Sequence, residues 1–182
     1  EFRRVLFRSR YYFLLFLMLL EPLAAESLVK ANQDFTAQIS IEHNQSPTSS
    51  GSIQYKFGDF KYVVEEPYSQ TIYKANDKIF IQDDDFQQVF VYAQNYSFLL
   101  DDVLSGDIEF QSIECSNQCY IAYDLNTNVK DLTVELIDNQ LFQIKYLDYK
   151  DDIYVINFLN YQKGSNNISY NFPEGYEVIV ND

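Results

Sequence analysis

From residue 53 onward the chain alternates apolar and polar side chains in short runs. They read IQYKF (53–57), FKYVV (60–64), TIYK (71–74), IFIQ (79–82) and QVFVYA (88–93). After a break come IEFQSI (108–113), YIAYD (120–124), LTVELI (132–137), FQIKYLDY (142–149), IYVINFL (153–159), ISYNF (168–172) and EVIV (177–180). A period of two belongs to strands with one buried face. Turn formers separate the runs, among them Gly58-Asp59, Pro67, Asn76-Asp77, Asp83-Asp84-Asp85, Asp138-Asn139, Lys150-Asp151-Asp152 and Lys163-Gly164-Ser165. Strands of about five residues joined by short polar turns predict an antiparallel meander, not a parallel sheet with crossover helices. No repeat, low-complexity tract or linker interrupts the pattern, so one domain is expected.

Two segments leave that period. Leu28, Ala31 and Phe35 fit one face of a short helix leading into the first strand. Tyr96, Leu99, Leu100, Val103 and Leu104 fit one face of a second helix, with Gly106 placed to end it and Asp101 and Asp102 opposite. In the strands, Gln54, Lys56, Lys61 and Glu65 mark a polar face. Ile53, Tyr55, Phe57, Phe60, Tyr62 and Val64 mark an apolar one. Two short helices cannot cover all of it. The remainder must fill a barrel or line a cavity, and the residues alone favour a filled core.

The first residues read as a leader. Arg3, Arg4, Arg8 and Arg10 precede the apolar run Tyr11 to Leu20, and Pro22-Leu23-Ala24-Ala25 offers a cleavage point after Ala25. Such an order predicts a secretory signal peptide over residues 1–25. The run falls short of the roughly 20 apolar residues a membrane span needs. No Met opens the chain, and residues 1–8 are given no weight. No Cys follows the cleavage point, so the mature chain (26–182) is expected to be soluble and without an acyl anchor of its own.

Charge narrows the partners. The leader holds four Arg and two Glu, so 13 basic and 27 acidic side chains fall to 9 and 25 without it, a net charge of −16. That balance repels nucleic acid and anionic lipid and favours a monomer. Tyr and Phe are heavily used, at 16 and 15, with no Trp; they suit strands and half-exposed apolar walls. Cys115 and Cys119 are spaced for a small disulfide across a turn, with two free thiols the alternative.

Three segments, in order, resemble the outer-membrane lipoprotein carrier family LolA. The first is Asp34-Phe35-Thr36-Ala37-Gln38 followed by Gly51 and an alternating strand. The second is Asn76-Asp77-Lys78-Ile79-Phe80-Ile81 followed by Asp83-Asp84-Asp85-Phe86-Gln87-Gln88-Val89. The third is the closure Tyr170-Asn171-Phe172-Pro173-Glu174-Gly175-Tyr176. Together they span roughly residues 34–180. The resemblance implies an incomplete, strongly curved antiparallel β-barrel of about 11–12 strands, mainly β, with short helices as a lid over an apolar cavity. It implies that Phe60, Tyr62 and Val64, with Ile53, Tyr55 and Phe57, line that cavity. Tyr96, Phe98, Leu99, Leu100, Val103 and Leu104 would form the lid. It further implies a periplasmic chaperone of a Gram-negative cell, without cofactor. Such a chaperone takes acylated lipoproteins from an inner-membrane ATP-binding-cassette exporter to an outer-membrane receptor. Two positions depart from the family: Tyr55-Lys56-Phe57-Gly58 stands where an Arg-Pro pair is usual, and Asn76 replaces a turn Gly.

Catalysis has little footing. The one His, His43, sits beside Asn44 and Gln45 in what reads as a polar loop. Five scattered Gly build no phosphate cradle. Asp83-Asp84-Asp85 and Asp151-Asp152 read as solvated turns before calcium ligands. Glu65 and Glu66 are neighbours on a strand and point to opposite faces. The expectation is a non-enzyme without a metal. Rival readings are a lipocalin-like barrel for a small apolar ligand, a receptor of the same fold, and a sensor or interaction domain. Three Asn-x-Ser sequons, at Asn44, Asn95 and Asn167, arise easily in so Asn-rich a chain.

Overall fold

A computed structural model describes residues 32–75, 78–92, 99–105, 108–123, 125 and 129–181. The expected leader, Leu28, Ala31, Tyr96 and Phe98 lie outside the described residues. The strands are β1 (Asp34–His43), β2 (Ser46–Lys56), β3 (Asp59–Glu66), β4 (Gln70–Ala75), β5 (Lys78–Asp83) and β6 (Gln88–Tyr92). A helix, α1 (Leu99–Ser105), follows. Then come β7 (Gln111–Ile113), β8 (Gln118–Tyr123), β9 (Val129–Ile137), β10 (Gln140–Asp148), β11 (Ile153–Lys163) and β12 (Glu177–Asn181). They form one sheet in the order β12-β6-β5-β4-β3-β2-β1-β11-β10-β9-β8-β7. It is curved, mainly antiparallel and unclosed: the incomplete barrel that was expected.

β1 joins the halves, pairing with β2 on one side and β11 on the other. Phe35 therefore starts a strand, which corrects the helix expected at 28–35. Phe35, Ala37, Ile39 and Ile41 alternate with Thr36, Gln38 and Ser40, and that period outweighs the match to a helical face. His43 is likewise in a strand, at the end of β1, and not in a loop. The turn after it places Asn44 and Gln45 at φ 49° and 68°, the left-handed pair that a two-residue hairpin needs.

Three further corrections follow. Phe57 is not a strand residue; it stands at φ 48° beside Gly58 in the β2–β3 turn and is 71% exposed. The run 108–113 yields a strand only from Gln111. ISYNF (168–172) forms no strand, and β12 pairs with β6 in parallel, so the meander is not wholly antiparallel.

Paired residues point to the same side of a sheet, and the inner side holds the core. Phe35 stacks between Tyr55 at 5.5 Å and Tyr161 at 4.8 Å, with the edge of Phe158 at 6.2 Å. Leu132, Val134, Leu136, Leu141 and Ile144 continue the cluster across β9 and β10. α1 lays Val103 and Leu104, both fully buried, onto this face. Its terminal Leu104 carbonyl accepts from Gln33 Nε2 at 2.8 Å, satisfying one helix-end acceptor. Buried Asn32 is fully used: its Nδ2 donates to the Asn139 carbonyl, and its Oδ1 accepts from the Leu141 amide and the Tyr161 hydroxyl.

On the outer side, residues 164–176 cross β5 and β4 as a strap. Tyr170 and Phe172 pack on Phe80, and Tyr170 also meets Tyr73. The Tyr176 hydroxyl donates to Asp84 at 3.0 Å, and the chain then enters β12. The turn residues Pro173 to Gly175 thus end a packed strap.

Candidate ligand-binding face

Beside the filled core the inner face continues as a half-buried apolar surface. In one direction the pairing carries it from Ala37 and Ile53 through Tyr62, Ile72 and Ile81 to Phe90. In the other it runs through Ile41 and Ile156 and ends on the buried Ile144. The next row holds a ladder of rings: His43 stacks on Tyr154 at 4.6 Å, and Tyr154 on Tyr146 at 4.7 Å.

Gly51 connects the two arms. It sits on the inner face between Ile39 and Val64, and a Cβ there would run into the Val63 carbonyl oxygen and lie 3.0 Å from the Tyr62 ring. The missing side chain lets the ring lie over β2, where its hydroxyl meets Ser49 Oγ at 3.0 Å. Tyr62 therefore bridges β3 and β2 and lines both arms.

The row from Ala37 to Phe90 holds no charged side chain, and Lys74 stands in the neighbouring row between Phe60 and Ile79. Burial raises the Tyr62 phenol pKa; the Ser49 hydrogen bond opposes the shift, and Glu65 adds to it. Burial pushes Tyr146 up to about 12, with Tyr154 and Asp148 adding to the effect. Both phenols are neutral across the physiological range. Polar side chains gather at the ends of the rows, where Asp83, Gln88 and Glu177 stand. Asp152 lies at the rim; its carboxyl pKa is lowered first by the 2.8 Å bond from Asn44 Nδ2, then by His43 at 3.5 Å.

The residues expected to line the cavity separate into three environments. Ile53, Tyr55 and Phe60 are core, and Val64 is buried at its margin. Tyr62 alone of the six lies half-buried on the open surface. Phe57 faces water. Of the residues expected in a lid, Leu99 and Leu100 are half-buried against the core, while Val103 and Leu104 lie within it. Cys115 and Cys119 form a disulfide between β7 and β8. Ile41, Ile72, Ile81, Tyr146, Tyr154 and Ile156 share this open face with Tyr62 and are not among the residues expected from the sequence. Alternation in β10 and β11 carried the signal for the last three, but only register shows which strands meet Tyr62.

A depression of about 540 Å³ lies over β1, β2 and β11, lined by Thr36, Gln38, Ser52, Gln54, Asn160 and Gln162 together with Ala37, Ile53 and Tyr161. None of the side chains that line it is charged. Among the described residues no three His, Cys, Asp or Glu side chains converge to hold a metal. What the inner face offers is shape and apolarity.

The sequence matches no family model and no curated protein. Solved structures do share the fold. An uncharacterized conserved protein from Thermus thermophilus superposes with a TM-score of 0.62 at 8% identity, covering 88% of this chain and 98% of that one. A chain of the Pseudomonas aeruginosa MucA/MucB complex gives 0.50 at 13% identity, covering 80% of this chain; this chain spans only 58% of that one's length. LolA superfamily proteins are also among the neighbours. The one from Nitrosomonas europaea gives 0.48 at 9% identity, covering 81% and 94%, a score too low to carry weight. At such identities the likenesses establish the fold alone.

Proposed function

We propose that this chain is an exported, non-enzymatic carrier that shelters the acyl chains of lipoproteins against the inner face of its open sheet. The observation that carries the reading is the half-buried aromatic and aliphatic surface from Phe90 through Tyr62 to Tyr146, set beside a filled core. A buried methylene is worth about 0.8 kcal/mol, so three chains of ~15 carbons represent roughly 35 kcal/mol of transfer energy. A triacylated protein therefore crosses water only when its chains are covered. An open sheet with a small helix over part of it can cover them and still release them. The basic-then-apolar leader supports export to a periplasm. The expected partners are an inner-membrane ATP-binding-cassette exporter as donor and an outer-membrane receptor as acceptor.

Adding the mature protein to spheroplasts tests the reading. Lipoprotein should leave the membrane in a soluble one-to-one complex; spheroplasts that release none contradict it. A second reading, binding of a protein segment, is favoured by the fold shared with the MucA/MucB complex. In that case an unacylated partner would bind as well as an acylated one.

A further inference from the structure

The two edges of the sheet are finished differently. At one edge β7 has only three residues and runs into the Cys115–Cys119 disulfide. At the other, β12 keeps unbroken parallel register with β6 over five residues. The Glu177 amide donates to the Gln87 carbonyl at 2.9 Å. In a regular strand, residues 177, 179 and 181 therefore turn their N–H and C=O toward β6. Those of Val178 and Val180 point off the edge, where no described strand takes them. Their side chains are 47% and 64% exposed on the outer face, in register with Val89 and Val91. Phe172, 52% exposed, sits on the nearby Phe80 ring and extends the apolar strip. Edge strands are normally blunted by Lys, Pro, a bulge or shortness. EVIVN (177–181) has no Lys, no Pro and no bulge, and its one charged side chain, Glu177, stands at its first position.

We propose that the β12 edge is a strand-acceptor site for an extended segment of a basic partner protein. The segment would bond to the backbone of Val178 and Val180 and carry apolar side chains at alternate positions that continue their ridge. Glu174, Glu177 and Asp84 near the entrance call for Lys or Arg flanking those positions. The formal net charge of −14 sets two copies of this chain against each other and favours a basic partner over self-pairing.

The full chain with the peptide Lys-Val-Thr-Val-Lys-Val-Thr-Val-Lys tests this by amide exchange. The peptide should slow exchange at Val178 and Val180 at least about tenfold. A version N-methylated at alternate residues, or one with Glu for Lys, should not. Val180→Lys should lose the protection without changing the thermal midpoint. Protection absent at saturation, equal with the N-methylated peptide, or confined to the inner face overturns the proposal. So does protection that rises with protein concentration alone, which assigns the edge to a second copy.

Discussion

Tyr170 lies nearly flat on Phe80, ring centroids 4.3 Å apart and planes 19° from parallel, on the side of the sheet away from the core. Phe172 meets both rings edge-on, at 5.7 Å from Phe80 and 5.2 Å from Tyr170. This cluster anchors the strap and thereby sets β12 against β6. Aromatic pairs of this geometry contribute about 0.5–1.5 kcal/mol beyond area burial. A Tyr170→Ala/Phe80→Ala double-mutant cycle in urea should give a coupling in that range, and additive losses would show that the strap is not held by this stack.

The same tyrosine sets an alkaline limit. Burial pushes its phenol up to about 12, with Tyr73, Asp84 and Tyr176 adding to the shift. A raised pKa in the folded state means that the neutral form is the one stabilised. Its contribution is whole below pH 10.0, the ordinary value, and is lost as pH rises through about 12. Tyr170→Phe has no phenol to ionise there. Its thermal midpoint should fall less steeply than the parent's between about pH 9 and 11.5; parallel curves would mean that this group is not linked to folding.

Gly51 has no room for a side chain. A Cβ there meets the Val63 backbone and the Tyr62 ring, whereas at Gly164 and Gly175 it meets no atom and only the positive φ opposes it. Gly51→Val should cost more than ~3 kcal/mol, in the range reserved for overpacking and backbone displacement. Urea denaturation reads it directly, and a loss under about 1 kcal/mol would mean that β2 and β3 separate easily.

Tyr62 should matter for ligand and little for folding. Tyr62→Asp places a charge where the two arms meet and should weaken binding of a fluorescent fatty acid at least about tenfold, with the far-UV spectrum unchanged. Tyr62→Phe removes only the bond to Ser49 and should bind normally. If the Asp variant binds as well as the parent, the surface has been assigned to the wrong side.

Much of the architecture was legible because strands announce themselves by alternation. Every run from IQYKF to EVIV except ISYNF overlaps a strand, although β2 begins well before its run and β7 covers only the end of its own. β1 was hidden by a chance helical match through Phe35, although Phe35, Ala37, Ile39 and Ile41 kept the period of two. Phe57 continued the alternation of β2 by type, but the φ of 48° that turns it out of the strand comes from its place before Gly58. The strap escaped notice for a related reason: Tyr170 and Phe172 alternate as strand residues do, and only the tertiary fold sets them on Phe80. The open surface was found at Tyr62 and nowhere else, since its other members come from strands far apart in sequence. Period gives the face; register gives the neighbour.

The central claim is that the inner face, and not the outer one, takes an acyl chain. Stearic acid carrying a spin label near its tail, added to methyl-labelled protein, tests this most directly. The methyl signals of Ile41, Ile72, Ile81 and Ile156 should broaden, while those of Ile137, Val178 and Val180 stay sharp. Broadening confined to the last three, or none at saturating fatty acid, would contradict the account.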